Sequence, residues 1–179
     1  KNLSIVRSGE YEGLKEKIFK KEWSPDFGNG FNKKSGATAI GVRDFLIAYN
    51  INLNTKSTRL ANAIAFDVRE KGRIKRKGHP VIGEIIYDKN GNPKTIPGTL
   101  KHVKAIGWYI EEFGIAQISM NLTNIAETPI HTVFEEVSKK AEGRGAKVTG
   151  SELVGLIPLK SMLYAGKYFL KKQNRSVGI

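Results

Sequence analysis

A chain of 179 residues with 40% apolar and 9% aromatic residues is long enough to close one domain around a core and too short for two ordinary ones, so one domain plus an arm is expected. It contains no uninterrupted apolar run of bilayer length and no cysteine, which excludes a spanning helix, disulfides, thiolate catalysis and cysteine zinc sites. The formal charge of +13 points to an acidic partner, and composition leaves nucleic acid, an anionic membrane surface and a small polyanion all open.

Residues 1–22 read as an arm with a short helix, because Leu14, Ile18 and Phe19 recur at helical spacing, and Trp23, Ser24 and Pro25 stop it. The chain starts at Lys1 without the basic, apolar and small-residue succession of a secretion signal, so a piece cut from something longer is expected. Residues 26–36, DFGNGFNKKSG, are loop chemistry able to bring backbone N–H groups close to an anion. This loop is the first candidate ligand site.

In GVRDFLIAYNINLN, Phe45, Ile47, Tyr49, Ile51 and Leu53 alternate on one strand face, with Leu46, Ala48, Asn50 and Asn52 on the other. A helix is expected over 55–70, capped by Asn54 or Thr55 and burying Leu60, Ala61, Ile64, Ala65 and Val68. Residues 71–80 form a basic loop, and the following segment reads as a surface hairpin turning at Asn90 and Gly91. KHVKAIGWYI and IAQISMNLT are strands joined by Glu111, Glu112, Phe113 and Gly114. The second of them turns Ala116, Ile118, Met120 and Leu122 to the core and Gln117, Ser119, Asn121 and Thr123 away from it.

Thr128 and Pro129 open a helix with Ile130, Val133, Phe134, Val137 and Ala141 on its stripe. A strand AKVTG and a last helix from about Leu159 to Lys172 complete the chain. The order strand, helix, strand, strand, helix, strand, helix is the split βαββαβ arrangement of α+β ferredoxin-like folds, here with an N-terminal arm, an inserted hairpin and an added C-terminal helix.

In such a fold both helices cover one sheet face, and the first and third strands lie centrally, with their other face open. Asn50, Asn52, Gln117, Ser119 and Asn121 then form a floor of hydrogen-bond donors and acceptors, which is the second candidate ligand site. A solvated outer face is the competing account, and two asparagines in a strand weigh against it. Phe45, Tyr49 and Trp108 are expected out of phase with the amides, leaving no platform for stacked bases. His79 and His102 read as surface residues and His131, four before Glu135, as structural. No phosphate-loop or dinucleotide pattern occurs, and the run Lys75, Arg76, Lys77 reads as a solvated face.

Several stretches together, RSGEYEGL, WSPDFG followed by SGATAIGVRDFLIAYNINL, KAIGWYIEEFGIAQISMNLT, and HTVFEEV with GSELVGLIPLKSML, resemble the C-terminal part of glutamate formiminotransferases, including the transferase portion of formiminotransferase-cyclodeaminase. The resemblance covers almost the whole chain, in order. It implies transfer of the formimino group of N-formimino-L-glutamate to N5 of tetrahydrofolate, a co-substrate, in cytoplasmic histidine degradation, with no metal. It also implies a homodimer whose transferase domain has two ferredoxin-like halves around a substrate tunnel.

On this resemblance, residues 1–40 are an arm carrying the folate loop, and 41–179 are the second half. The catalytic histidine belongs to the first half, its partner subdomain, so none of His79, His102 and His131 inherits that role, and no nucleic acid or membrane partner is implied. The residues carried over as folate-binding are Gly28, Asn29, Gly30, Phe31, Asn32, Lys33, Lys34, Ser35 and Gly36. The loop is one residue short of the animal form and has Ser35 where that form has tryptophan, and the insertion around 78–97 is absent from shorter members. Two alternatives stay open: a related enzyme using 5-formyltetrahydrofolate, and a basic RNA-binding module of the same topology.

Overall fold

The computed structural model describes residues 3–28, 30–80 and 82–176, and Asn29 of the expected folate loop lies outside them. The chain divides into two compact units, Lys1–Arg43 and Asp44–Ile179.

In the first unit the arm forms two helices, α1 (Leu3–Val6) and α2 (Glu10–Lys17), followed by a 3-10 turn at Lys21–Trp23. Gly9, at φ 84°, separates the helices in a conformation that glycine adopts without strain. Lys17 Nζ donates to the carbonyls of Ile5 at 2.9 Å, Val6 at 2.8 Å and Ser8 at 2.9 Å, so one cation satisfies the carbonyls at the end of α1. Ile18, which caps the end of α2, is buried, whereas Phe19 is 70% exposed.

The second unit begins with β1 (Ile47–Leu53) and α3 (Thr58–Val68). Phe45, expected on the same strand face as Ile47, stays outside β1 and is exposed. The helix also starts later than expected. Ser57 is its cap, its Oγ accepting from the Leu60 N–H at 3.1 Å, because Asn54 Oδ1 is taken by the Lys147 N–H at 2.6 Å and Thr55 Oγ1 by the Ser57 N–H at 3.1 Å.

After α3 the insertion folds into β2 (Arg73–Ile74), β3 (Arg76–Lys77), β4 (Glu84–Ile85) and β5 (Thr95–Ile96), pairing β2 with β5 and β3 with β4. Part of the expected basic loop is therefore strand. Its turn falls where expected: the Asn90 and Asn92 N–H groups each donate to Asp88 Oδ1 at 2.8 Å, and Gly91 has φ 78°.

The chain then runs through β6 (Val103–Ile110), β7 (Ile115–Leu122), α4 (Ile130–Glu142), β8 (Val148–Val154) and α5 (Leu159–Lys172). β1, β6, β7 and β8 form one antiparallel sheet in the order β6-β7-β1-β8. Helices α3 and α4 pack on one face of it, and the alternate residues Ile47, Ile51, Leu53, Ile118 and Leu122 close on Ile64, Val68, Val133 and Val137, all fully buried. This side holds the hydrophobic core. Asn62 of α3 brackets Gly107 of β6, accepting from its N–H at 3.1 Å and donating to its carbonyl at 3.0 Å. α5 packs on α4, Phe169 edge-on to Phe134 with ring centroids 5.7 Å apart.

Candidate functional site

The phase that buries Ile47, Tyr49, Ile51 and Leu53 of β1 sends Ala48, Asn50 and Asn52 to the other face, and the phase of β7 does the same for Gln117, Ser119 and Asn121. Antiparallel register sets Asn50 opposite Ser119 and Asn52 opposite Gln117. β8 adds Glu152 opposite Asn50, and β6 adds Trp108 opposite Gln117. The expected floor is thus assembled, with two members that sequence reasoning missed.

Trp108 is a correction. It was expected out of phase with the amides, but Val103, Ala105 and Gly107 take the core positions of β6 and Trp108 falls on the carboxamide face.

These side chains form one directional network. The Trp108 indole Nε1–H, which can only donate, bonds Gln117 Oε1 at 2.9 Å. That contact turns Gln117 Nε2 toward the other side, where it donates to Asn52 Oδ1 at 2.7 Å and to Glu152 Oε2 at 3.2 Å. Asn50 Nδ2 donates to the same Glu152 oxygen at 3.2 Å. Because Asn52 Oδ1 accepts from Gln117, its Nδ2 is left as a donor with no partner among the described residues.

Burial separates the roles. Gln117 is 0% and Asn50 6% exposed, so they order the others, whereas Asn52 and Ser119 are half-buried and Asn121, Glu152 and Trp108 are exposed. A shallow cavity of about 360 Å³ lies on this face, lined in part by Asn50, Trp108, Phe113, Ser119 and Glu152. Such a surface offers a flat apolar wall beside polar groups of fixed orientation, which suits a planar heterocycle with a hydrogen-bonding edge.

The glycine-and-lysine loop belongs to the other unit. Asn32 Oδ1 accepts from the N–H groups of Lys34 at 2.9 Å and Ser35 at 3.1 Å, and the Gly36 N–H bonds the Asn32 carbonyl at 2.8 Å. Three backbone donors that could have cradled an anion are therefore used within the turn. The exposed side chains of Lys33 and Lys34 remain for an anion. Tyr11 ties the loop to α2, donating from its hydroxyl to the Lys33 carbonyl at 2.7 Å and lying 5.3 Å from the Phe31 ring.

The histidines lie elsewhere. His102 pairs with Glu127 at 2.9 Å, and His79 Nδ1 accepts from the Ile82 N–H at 3.3 Å. His131 stacks on Tyr168 of α5 with ring centroids 4.5 Å apart, and its Nδ1 is buried without a hydrogen-bond partner among the described residues. Burial holds its imidazole below the ordinary value, against a smaller opposing pull from Glu135, which itself pairs with Lys172. The unfolded chain therefore takes up this proton first as the pH falls through the ordinary imidazole range. The stability tied to neutral His131 is whole above that range and is lost below it. Between about pH 7 and pH 5.5 the unfolding midpoint of the wild type should fall further than that of His131→Phe, which keeps the ring stack. Parallel pH profiles in scanning calorimetry would remove His131 from this role.

Among the described residues no group of three or more His, Cys, Asp and Glu side chains could hold a metal ion, and no helix is long and apolar enough to cross a membrane.

Residues 48–179 match the family model described as the formiminotransferase domain, and residues 1–43 match the one described as its N-terminal subdomain. The chain is 46% identical over 176 residues to the formimidoyltransferase-cyclodeaminase of Dictyostelium discoideum, covering 97% of this chain and 29% of that protein. It is 45% identical over 174 residues to the enzyme of the same name from Gallus gallus, covering 97% and 28%. To the glutamate formimidoyltransferase of Thermoplasma acidophilum it is 37% identical over 172 residues, covering 95% of this chain and 48% of that one. The chain therefore spans less than a third of the first kind of relative and about half of the second.

Proposed function

The chain belongs to the formiminotransferase family, and from that membership we propose that it is the folate-binding part of a glutamate formimidoyltransferase. The whole protein would move the formimino group of N-formimino-L-glutamate to N5 of tetrahydrofolate, in cytoplasmic histidine breakdown and as a homodimer. The observation that carries this reading is the oriented carboxamide face, which offers a pterin both donors and acceptors, in a chain that relatives named formimidoyltransferases match over nearly its full length. The strand order β6-β7-β1-β8 supports a ferredoxin-like assignment for the second unit, with Asn50, Asn52, Gln117, Ser119 and Asn121 on its open face.

In the reaction, N5 attacks the amidine carbon, the new N5–C bond forms a tetrahedral adduct, and the C–N bond to glutamate then breaks. A base takes the proton from N5, and a proton reaches the departing glutamate nitrogen. The described residues of this chain bring no imidazole to the carboxamide face, so a histidine base, as the family resemblance implies, would come from outside that face. Asn52, Ser119, Asn121, Trp108 and Glu152 hold the pterin, and the surplus of basic residues attracts the carboxylates of both substrates.

Residues 28–36 are proposed as a second folate contact, acting through Lys33 and Lys34. In the whole enzyme the double variant Lys33→Ala/Lys34→Ala should bind folinate several-fold more weakly, with the deficit shrinking as salt rises, because exposed charge pairs contribute little and are screened. Calorimetry showing unchanged affinity at low salt would take this loop out of the site.

A further inference from the structure

Among the described residues Glu152 is the one carboxylate lining the cavity of the carboxamide face, and neither lysine nor arginine lines it. In a chain of 30 Lys and Arg against 17 Asp and Glu, an acidic side chain without a basic neighbour at a site is a departure from its surroundings. Its partners are two neutral amides: Asn50 Nδ2 and Gln117 Nε2 both reach Oε2 at 3.2 Å. The Gln117 amide that helps hold it is itself completely buried and is oriented by the Trp108 indole. Oε1 accepts no bond from any described residue. The carboxylate is thus oriented by groups that leave its charge unmatched and one oxygen available.

We propose that Glu152 is a specificity-determining residue that accepts from a planar amidine-type N–C–N group carrying two N–H donors. With Oε2 already accepting from Asn50 and Gln117, the free Oε1 takes one of those donors in a charge-assisted hydrogen bond. This inference rests on the folate reading above, and two substrate groups share the required chemistry: the 2-aminopyrimidinone edge of the pterin and the formamidine of the formimino donor. The exposed Trp108 indole beside the cavity supplies the flat wall that a planar group needs.

The test is Glu152→Gln in the whole enzyme, since the glutamine keeps an oxygen for Asn50 and Gln117 while removing the charge and one acceptor. Three quantities are read: folinate affinity by calorimetry, discrimination between folinate and its 2-desamino-2-methyl analogue, and KM for N-formimino-L-glutamate. If the pterin is the partner, folinate affinity falls about ten- to a hundredfold and the discrimination disappears, as expected for losing hydrogen bonds to a charged group. If the formamidine is the partner, KM rises by a similar factor and folinate binding is unmoved. All three unchanged within about twofold, in an enzyme whose wild type binds folinate and transfers the group, overturns the inference alone. A wild type that does neither overturns the functional reading beneath it.

Discussion

Gly107→Ala should destabilise the second unit by about 3 kcal/mol or more, lowering its unfolding midpoint by roughly 6–12 °C. A Cβ at this position would lie 2.3 Å from the backbone nitrogen of Asn62 and 2.4 Å from the carbonyl carbon of Ala61. Both are helix backbone, so no side chain can rotate away, and α3 must move off β6 to make room. That movement also breaks the paired bonds between the Asn62 amide and the Gly107 N–H and carbonyl, and it loosens the fully buried Ala61, Ile64 and Ala65. The informative contrast is Gly166→Ala in α5, where an added Cβ meets nothing within 4 Å and helix propensity alone should stabilise by up to about 1 kcal/mol. If Gly107→Ala melts within a degree or two of the wild type, the close approach of α3 to β6 is not what the fold relies on.

The same glycine explains why one side of the site was hidden in the sequence. In β1 and β7 the alternation is chemically clean, apolar against amide, so the phases of Asn50, Asn52, Gln117 and Ser119 were legible from residue types alone. β6 reads VKAIGWYI, where the largest apolar residue, Trp108, invites placement in the core. The core admits no side chain beneath Asn62, so the glycine takes the inward position and the indole turns out. A glycine in phase with Val103 and Ala105 was the available signal.

Glu152 was missed for another reason. The strand read from AKVTG ended at Gly150, whereas the pairing of the edge strand β8 with β1 continues past that glycine to Val154. The start of α3 was misplaced because Asn54, Thr55 and Ser57 are all competent caps, and only the tertiary partner of Asn54, the Lys147 N–H, decides among them. The insertion hid its strands because residues 71–80, Arg73 and Arg76 among them, read as a basic loop. Two of these arginines are in fact tied down, Arg73 on Asp67 and Arg76 on the Gly83 carbonyl at 2.7 Å. Burial of Gln117 could not be read from its own identity either, because it depends on residues from three other strands closing over it.

Asn52 offers the most direct access to the ligand question, because its two ends have different tasks. Its Oδ1 accepts from Gln117, whose orientation Trp108 and Glu152 fix, and its Nδ2 is left without a partner among the described residues. Asn52→Asp preserves shape and keeps an oxygen for Gln117, with the bond now charge-assisted, while the unpartnered donor becomes an acceptor. The fold should survive, which a melt near the wild-type midpoint would establish before any binding is interpreted. A pterin oxygen that accepted from Nδ2 would then face a carboxylate oxygen, and a lost hydrogen bond joined by repulsion weakens binding about ten- to a hundredfold.

Calorimetric titration of folinate into the whole enzyme carrying Asn52→Asp is therefore the decisive measurement. A folded variant with affinity reduced at least tenfold is the expected result. A folded variant that binds folinate within about twofold of the wild type would contradict a carboxamide face that holds the pterin.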